Sequence, residues 1–83
     1  MGKATMKQLQ MWNEKGTFLW GSLESDGRFS LYTKEGRYGW GEIRNRKIDF
    51  WHSAGGHSYG EVRDGEKIEI QDQVNGLMWG DIR

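Results

Sequence analysis

An aromatic residue followed by glycine recurs along the chain at Trp20-Gly21, Trp40-Gly41, Tyr59-Gly60 and Trp79-Gly80, at spacings of 20, 19 and 20 residues. A fixed period of this length constrains the fold more than any local propensity, because every unit must then be the same supersecondary element. Each pair opens the same short pattern: Trp20-Gly21-Ser22-Leu23, Trp40-Gly41-Glu42-Ile43, Tyr59-Gly60-Glu61-Val62 and Trp79-Gly80-Asp81-Ile82. Arg44, Arg63 and Arg83 follow the last three. Eight or nine residues after each of the first three aromatics comes a second apolar pair, Phe29 with Leu31, Ile48 with Phe50, and Ile68 with Ile70. The fourth unit stops at its first strand.

Both halves of a unit alternate with period 2, which argues strands, and turn residues separate them: Ser25-Asp26-Gly27, Asn45-Arg46 and Asp64-Gly65-Glu66. Each unit is therefore a β-hairpin. Looser connections at Gly36, Gly55-Gly56 and Gly76 join one hairpin to the next. The expected fold is all-β, an antiparallel meander of about seven strands made of three hairpin repeats and a closing strand. Composition agrees: 13 Gly, five Trp, two Ala and no Pro disfavour helix and favour short strands with glycine turns. Residues 18–83 form the repeat domain. Residues 1–17 are an N-terminal segment in which Ala4 to Lys15 reads either as a short helix or as an extra strand.

If the turns hold, Leu23 pairs with Phe29, Ile43 with Ile48 and Val62 with Ile68, while Gly21, Gly41 and Gly60 face Leu31, Phe50 and Ile70. One face is aliphatic with glycine gaps. A glycine repeated opposite a large residue either makes room for it or permits sharp coiling. An open layer would leave this face wet, so the sheet is expected to curl into a small barrel, sandwich itself, or be completed by dimerisation. An 83-residue domain carrying two such faces is marginal alone, which predicts a homo-oligomer, most simply a two-fold dimer.

The other face carries the aromatics, then Glu42, Glu61 and Asp81, then Arg44, Arg63 and Arg83. Trp20 falls opposite Tyr32 and Trp40 opposite Trp51, and such pairs brace a sheet by about 0.2–1 kcal/mol each. The same residues supply recognition chemistry, since Trp and Tyr offer flat stacking surfaces and Arg a planar fork for phosphate or carboxylate. The candidate ligand-binding residues are accordingly Trp20, Trp40, Trp51, Tyr59, Trp79, Arg44, Arg63 and Arg83. Repetition would make them several equivalent subsites.

At these residues the chain resembles two groups of hairpin repeats. Tyr59-Gly60-Glu61-Val62 with Lys67-Ile68-Glu69-Ile70, and Trp40-Gly41-Glu42-Ile43 with Lys47-Ile48-Asp49-Phe50, are similar to the WG-type repeat. The twenty-residue period, the hairpins and the aromatic positions resemble the choline-binding, cell-wall-anchoring repeat. Either likeness covers about residues 18 to 83 and implies a β-hairpin array; the second implies a carbohydrate or cell-wall ligand.

Other chemistry finds little support. The chain has no Cys, which removes disulfides, thiol catalysis and thiolate metal sites. His52 and His57 read as loop histidines, too few for a structural metal site. Gly55-Gly56 lacks the lysine and helix of a phosphate loop and reads as a turn. Glu42, Glu61 and Asp81 beside arginines read as ionised partners and not as raised-pKa acids. Lys plus Arg and Asp plus Glu each total 12, so an overall polybasic binder is not suggested. Met1 to Met11 holds no apolar run long enough for a signal segment or membrane span, which points to a cytoplasmic protein. The expectation is a non-enzymatic binding or inhibitor module without metal or cofactor. It would capture a small anionic, nucleotide-like ligand or an acidic protein surface. A glycan-binding module and a structural assembly protein are the alternatives.

Overall fold

The structure, a computed structural model, describes residues 7–74 and 76–83. Eight strands follow one another: β1 (Lys7–Asn13), β2 (Phe18–Leu23), β3 (Arg28–Thr33), β4 (Gly36–Arg44), β5 (Lys47–His52), β6 (His57–Arg63), β7 (Lys67–Asp72) and β8 (Gly76–Ile82). Each pairs antiparallel with its neighbours in sequence, and β8 pairs with β1, so the meander closes into a barrel. The expected registers are present, with Leu23 opposite Phe29, Ile43 opposite Ile48, Val62 opposite Ile68 and Trp40 opposite Trp51. Connections fall at 24–27, 45–46 and 64–66, with Asn45 and Arg46 both in the left-handed region that a two-residue hairpin turn requires.

The N-terminal segment, open between helix and strand in the sequence, is a strand over its described part. It completes the repeat that stops short at the C-terminus. In β8 and β1, Ile82 faces Leu9, Gly80 faces Met11 and Trp79 faces Trp12, as Val62 faces Ile68, Gly60 faces Ile70 and Tyr59 faces Gln71 one hairpin earlier. The barrel is therefore four hairpins, the last assembled from the two ends of the chain. A longer period also emerges. Residues 39 positions apart occupy equivalent places without an insertion, among them Trp12 and Trp51, Gly21 and Gly60, Trp40 and Trp79, and Arg44 and Arg83. Two halves of this kind, wound into one closed sheet, relate opposite sides of the barrel by an approximate two-fold.

Leu9, Met11, Leu19, Phe29, Leu31, Ile48, Phe50, Ile68, Ile70, Met78 and Ile82 fill the interior. An eight-stranded barrel is just wide enough for side chains to fill it, so the lumen is a core. The glycine after each aromatic is what lets 83 residues close so tightly. A β-carbon on Gly41 would meet the Asp49 carbonyl oxygen and lie 2.8 Å from Phe29 Cζ; one on Gly80 would lie 2.6 Å from Met11 Cα. Both reasons for a strand glycine operate: neighbouring backbone coils into the vacant space, and a ring fills what remains. Closure also buries the aliphatic face within one chain, so no second copy is needed to cover that face, while the aromatic face stays exposed.

One end of the barrel carries a polar layer that the sequence did not reveal. Asn13, Thr33, His52 and Asp72 each end the second strand of a hairpin, and each side chain accepts the backbone N–H two residues on. The distances are 2.9 Å from Lys15, 3.1 Å from Glu35, 2.9 Å from Ala54 and 3.1 Å from Val74. These side-chain turns start the connections between hairpins. His52 and His57 accordingly end β5 and start β6, so the loop expected to hold them is only residues 53–56.

Between β3 and β4 the register shifts, and Tyr38 is the extra residue. This bulge turns Tyr38 inward, where its ring lies 6.0 Å from Phe50 and 4.4 Å from His52, and its hydroxyl donates to the buried carboxylate of Asp72. Removing that donor strands a buried carboxylate oxygen. Tyr38→Phe is expected to cost about 1–3 kcal/mol in chemical denaturation, more than the double variant Tyr38→Phe with Asp72→Asn. A Tyr38→Phe protein as stable as the parent would show that the bond contributes nothing.

Candidate functional site

Every candidate aromatic projects outward, as strand alternation requires once the adjacent glycine faces in. Tyr59 is the most exposed at 62%, with Trp20, Trp40 and Trp79 near two-fifths and Trp51 half-buried. Their neighbours divide them. Trp20 lies opposite Tyr32 and stacks with Phe18, which in turn contacts Trp12, so three rings run across β1 and β2 with centroids 5.2 and 5.9 Å apart. The equivalent set 39 residues on is Trp51, His57 and Tyr59, at 5.0 and 4.5 Å. His57 Nε2 lies 3.1 Å from Asp49 Oδ1. Among the described residues no three His, Asp or Glu side chains converge as metal ligands.

The arginines do not sit beside the tryptophans of their own strands. Four residues of β-strand span ~13 Å, so Arg44 lies well along β4 from Trp40, as Arg83 lies from Trp79 on and beyond β8. Each is instead held by an acid on its own chain segment. Arg44 Nη2 is 2.8 Å from Glu42, Arg83 Nε is 3.2 Å from Asp81, and Arg63 Nη2 reaches Glu61 at 3.4 Å and Glu69 at 3.1 Å. These are solvated pairs, and their consequence is for charge: the ladder arginines come with their counter-ions in place.

What the fold does bring together is a pair of tryptophans on adjacent strands. Trp40 of β4 lies directly opposite Trp51 of β5 and opens onto a groove of about 530 Å³ whose polar margin is Arg28, Arg37, Glu24 and Glu42. Arg37 holds its guanidinium 5.0 Å from the Trp40 ring centroid and also donates to Ser30 Oγ at 3.4 Å. With that arginine in place Trp40 remains 39% exposed. A second groove, of about 850 Å³, is lined by Trp79 of β8 and Trp12 of β1, also a direct cross-strand pair. Its margin is Arg63, Lys67, Glu69 and Asp81, with Arg46 and Asp64 at one end.

Cations equal carboxylates in each groove: Arg28 and Arg37 against Glu24 and Glu42, then Arg46, Arg63 and Lys67 against Asp64, Glu69 and Asp81. Of the candidate residues, the fold joins Trp40 with Trp51, Trp79 with Arg63, and Tyr59 with Arg63 along a third groove. Trp20, Arg44 and Arg83 lie outside all three. The sequence missed Trp12, Arg28, Arg37 and Lys67. The usable signal for them was cross-strand register and not position along one strand. Comparison of the chain with protein-family models, with curated proteins and with solved structures finds no match.

Proposed function

We propose that the protein is a non-enzymatic binding module that stacks a neutral saccharide on Trp40 and Trp51. The observation that carries this reading is the cross-strand tryptophan pair set in a groove with as many carboxylates as cations. A nucleotide or acidic surface needs cation in excess, because a carboxylate in the groove repels the phosphate that an arginine attracts. An uncharged polyol makes the opposite demand. Its hydroxyls both donate and accept, so a margin of guanidinium and carboxylate serves them well, the first as donor only and the second as acceptor only. A pyranose whose substituents are all equatorial has flat faces of C–H bonds that rest on an indole, and this favours β-1,4-linked gluco-configured sugars over other classes. Both tryptophans stand on paired strands of a closed barrel, so the platform is rigid before the ligand arrives and little ordering entropy is lost on binding.

The test is a site-resolved titration of the intact protein. Indole N–H signals of the five tryptophans are followed by NMR as cellohexaose, chitohexaose or ATP is added. Trp40 and Trp51 are expected to shift with an oligosaccharide and not with ATP. Loss of one stacking surface in Trp40→Ala should weaken binding at this groove by about 5- to 150-fold, by analogy with about 1–3 kcal/mol for a base on an aromatic ring. Shifts produced by ATP alone would replace the saccharide with an anion. No shift with any of the three would leave the aromatic face as bracing for the sheet.

A further inference from the structure

We infer that the Trp79–Trp12 groove is a second saccharide site, facing away from the first, and that one chain therefore cross-links two glycan strands. The inference rests on the saccharide reading of the Trp40–Trp51 groove. It adds a separate observation, the 39-residue correspondence of the two halves. Shifting the first groove by that offset carries Trp40 to Trp79, Gly41 to Gly80, Glu42 to Asp81 and Arg28 to Lys67, and carries Trp51 back to Trp12 across the closing seam. Each of these residues lines the second groove. The two cavities are thus the same site built twice by the same backbone register.

Their placement follows from the strand order. β4 and β8 stand four strands apart in a closed sheet of eight, which is the greatest separation the barrel allows. One glycan strand cannot lie in both grooves without passing around the barrel, so double occupancy means two strands on opposite sides. The sites also differ in a way that predicts unequal affinity. The place of Arg37 is taken by Leu77, which pairs with Gln71 as Arg37 pairs with Tyr32 once the bulged Tyr38 is set aside, so no guanidinium stands at the equivalent position over Trp79, and the groove is the larger of the two. A sugar stacking on Trp79 displaces no cation–π contact, whereas one that covers the same part of Trp40 gives up a contact whose loss typically weakens binding about two- to fivefold at an exposed site. The Trp79 groove is expected to bind more tightly.

Calorimetry with cellohexaose and viscosity of hydroxyethyl cellulose test the two statements separately. The intact protein is expected to bind two equivalents of cellohexaose and to raise the viscosity of the polymer several-fold. Trp40→Ala and Trp79→Ala should each bind one equivalent and raise the viscosity little, and the double variant should bind none. Thermal melts establish that each variant is folded, and Trp12→Ala strips the second groove from its other wall if Trp79→Ala is not. Binding of one equivalent by the intact protein, abolished by Trp40→Ala and untouched by Trp79→Ala, would overturn the second site while the saccharide reading stands. No heat and no viscosity change with the intact protein would overturn both.

Discussion

Gly80→Ala is expected to lower the melting temperature by about 12–24 °C, the shift that follows from a loss of about 3 kcal/mol in a domain of this size. A glycine in a strand ordinarily invites the opposite result, because alanine narrows the unfolded ensemble and gains about 0.4–1 kcal/mol wherever the native backbone accepts it. Here the added methyl group would meet the Gln10 carbonyl, with its carbon at 2.8 Å, and Met11 Cα at 2.6 Å. All are main-chain atoms of β1, which is paired to β8 at this point, so none can retreat without opening the seam of the barrel. The cost is then a substantial part of the ~4–12 kcal/mol expected for 83 residues. Gly16→Ala is the matched comparison. Gly16 has φ of 85° and nothing within 4 Å of its would-be β-carbon, so alanine there bears only the left-handed backbone penalty of about 1–2 kcal/mol. Thermal melts of the two proteins decide the matter, and a Gly80→Ala protein as stable as the parent would mean that the strands do not coil as tightly as the closed barrel demands.

The same glycines explain how much of the fold was legible. Aromatic-Gly pairs mark the point in each hairpin where one residue must face out and the next must have no side chain, and a constraint imposed by backbone approach leaves its trace at fixed spacing. Strand order, turns and facing pairs could be read from it. β1 could not, because Leu9, Met11 and Trp12 belong to the second strand of a hairpin and carry no such mark, and their partner lies at the far end of the chain. Asn13, Thr33, His52 and Asp72 perform one task at four equivalent places with four residue types, so no pattern announces them. Tyr38 is turned inward by one bulged residue, which flips a side chain from surface to core without altering composition or period. The recognition residues were half legible for a geometric reason. Outward tryptophans follow from alternation along one strand, but their charged neighbours lie across strands, and the arginines nearest in sequence are several strand residues away in space.

Removal of residues 1–13 is expected to abolish folding, and returning β1 at the other end of the chain is expected to restore it. Without β1 the interior loses Leu9 and Met11, both essentially fully buried, and deletion of side chains of that kind typically costs about 2–5 kcal/mol each even when the backbone stays. Losing the strand itself also leaves β2 and β8 as open edges, each with a row of unpaired backbone groups. Together these are as large as the whole stability expected of a domain this small, about 4–12 kcal/mol. Covalent connection, however, is not what β1 contributes. Gln8 and Arg83 already exchange both backbone hydrogen bonds, at 3.0 and 2.8 Å, as residues flanking a hairpin turn do. An Asn-Gly turn placed between Arg83 and Gln8 therefore has the geometry of the Asn45-Arg46 turn to copy, and a chain running from Gly16 through Arg83, Asn-Gly and Gln8 to Lys15 contains four consecutive hairpins. Circular dichroism and denaturant unfolding should find the truncated protein unfolded and the rearranged one cooperative, with an m-value like that of the parent because the same surface is buried. A truncated protein that still unfolds cooperatively would show that seven strands suffice. A rearranged protein that does not fold would show that the fourth hairpin is only a resemblance in register.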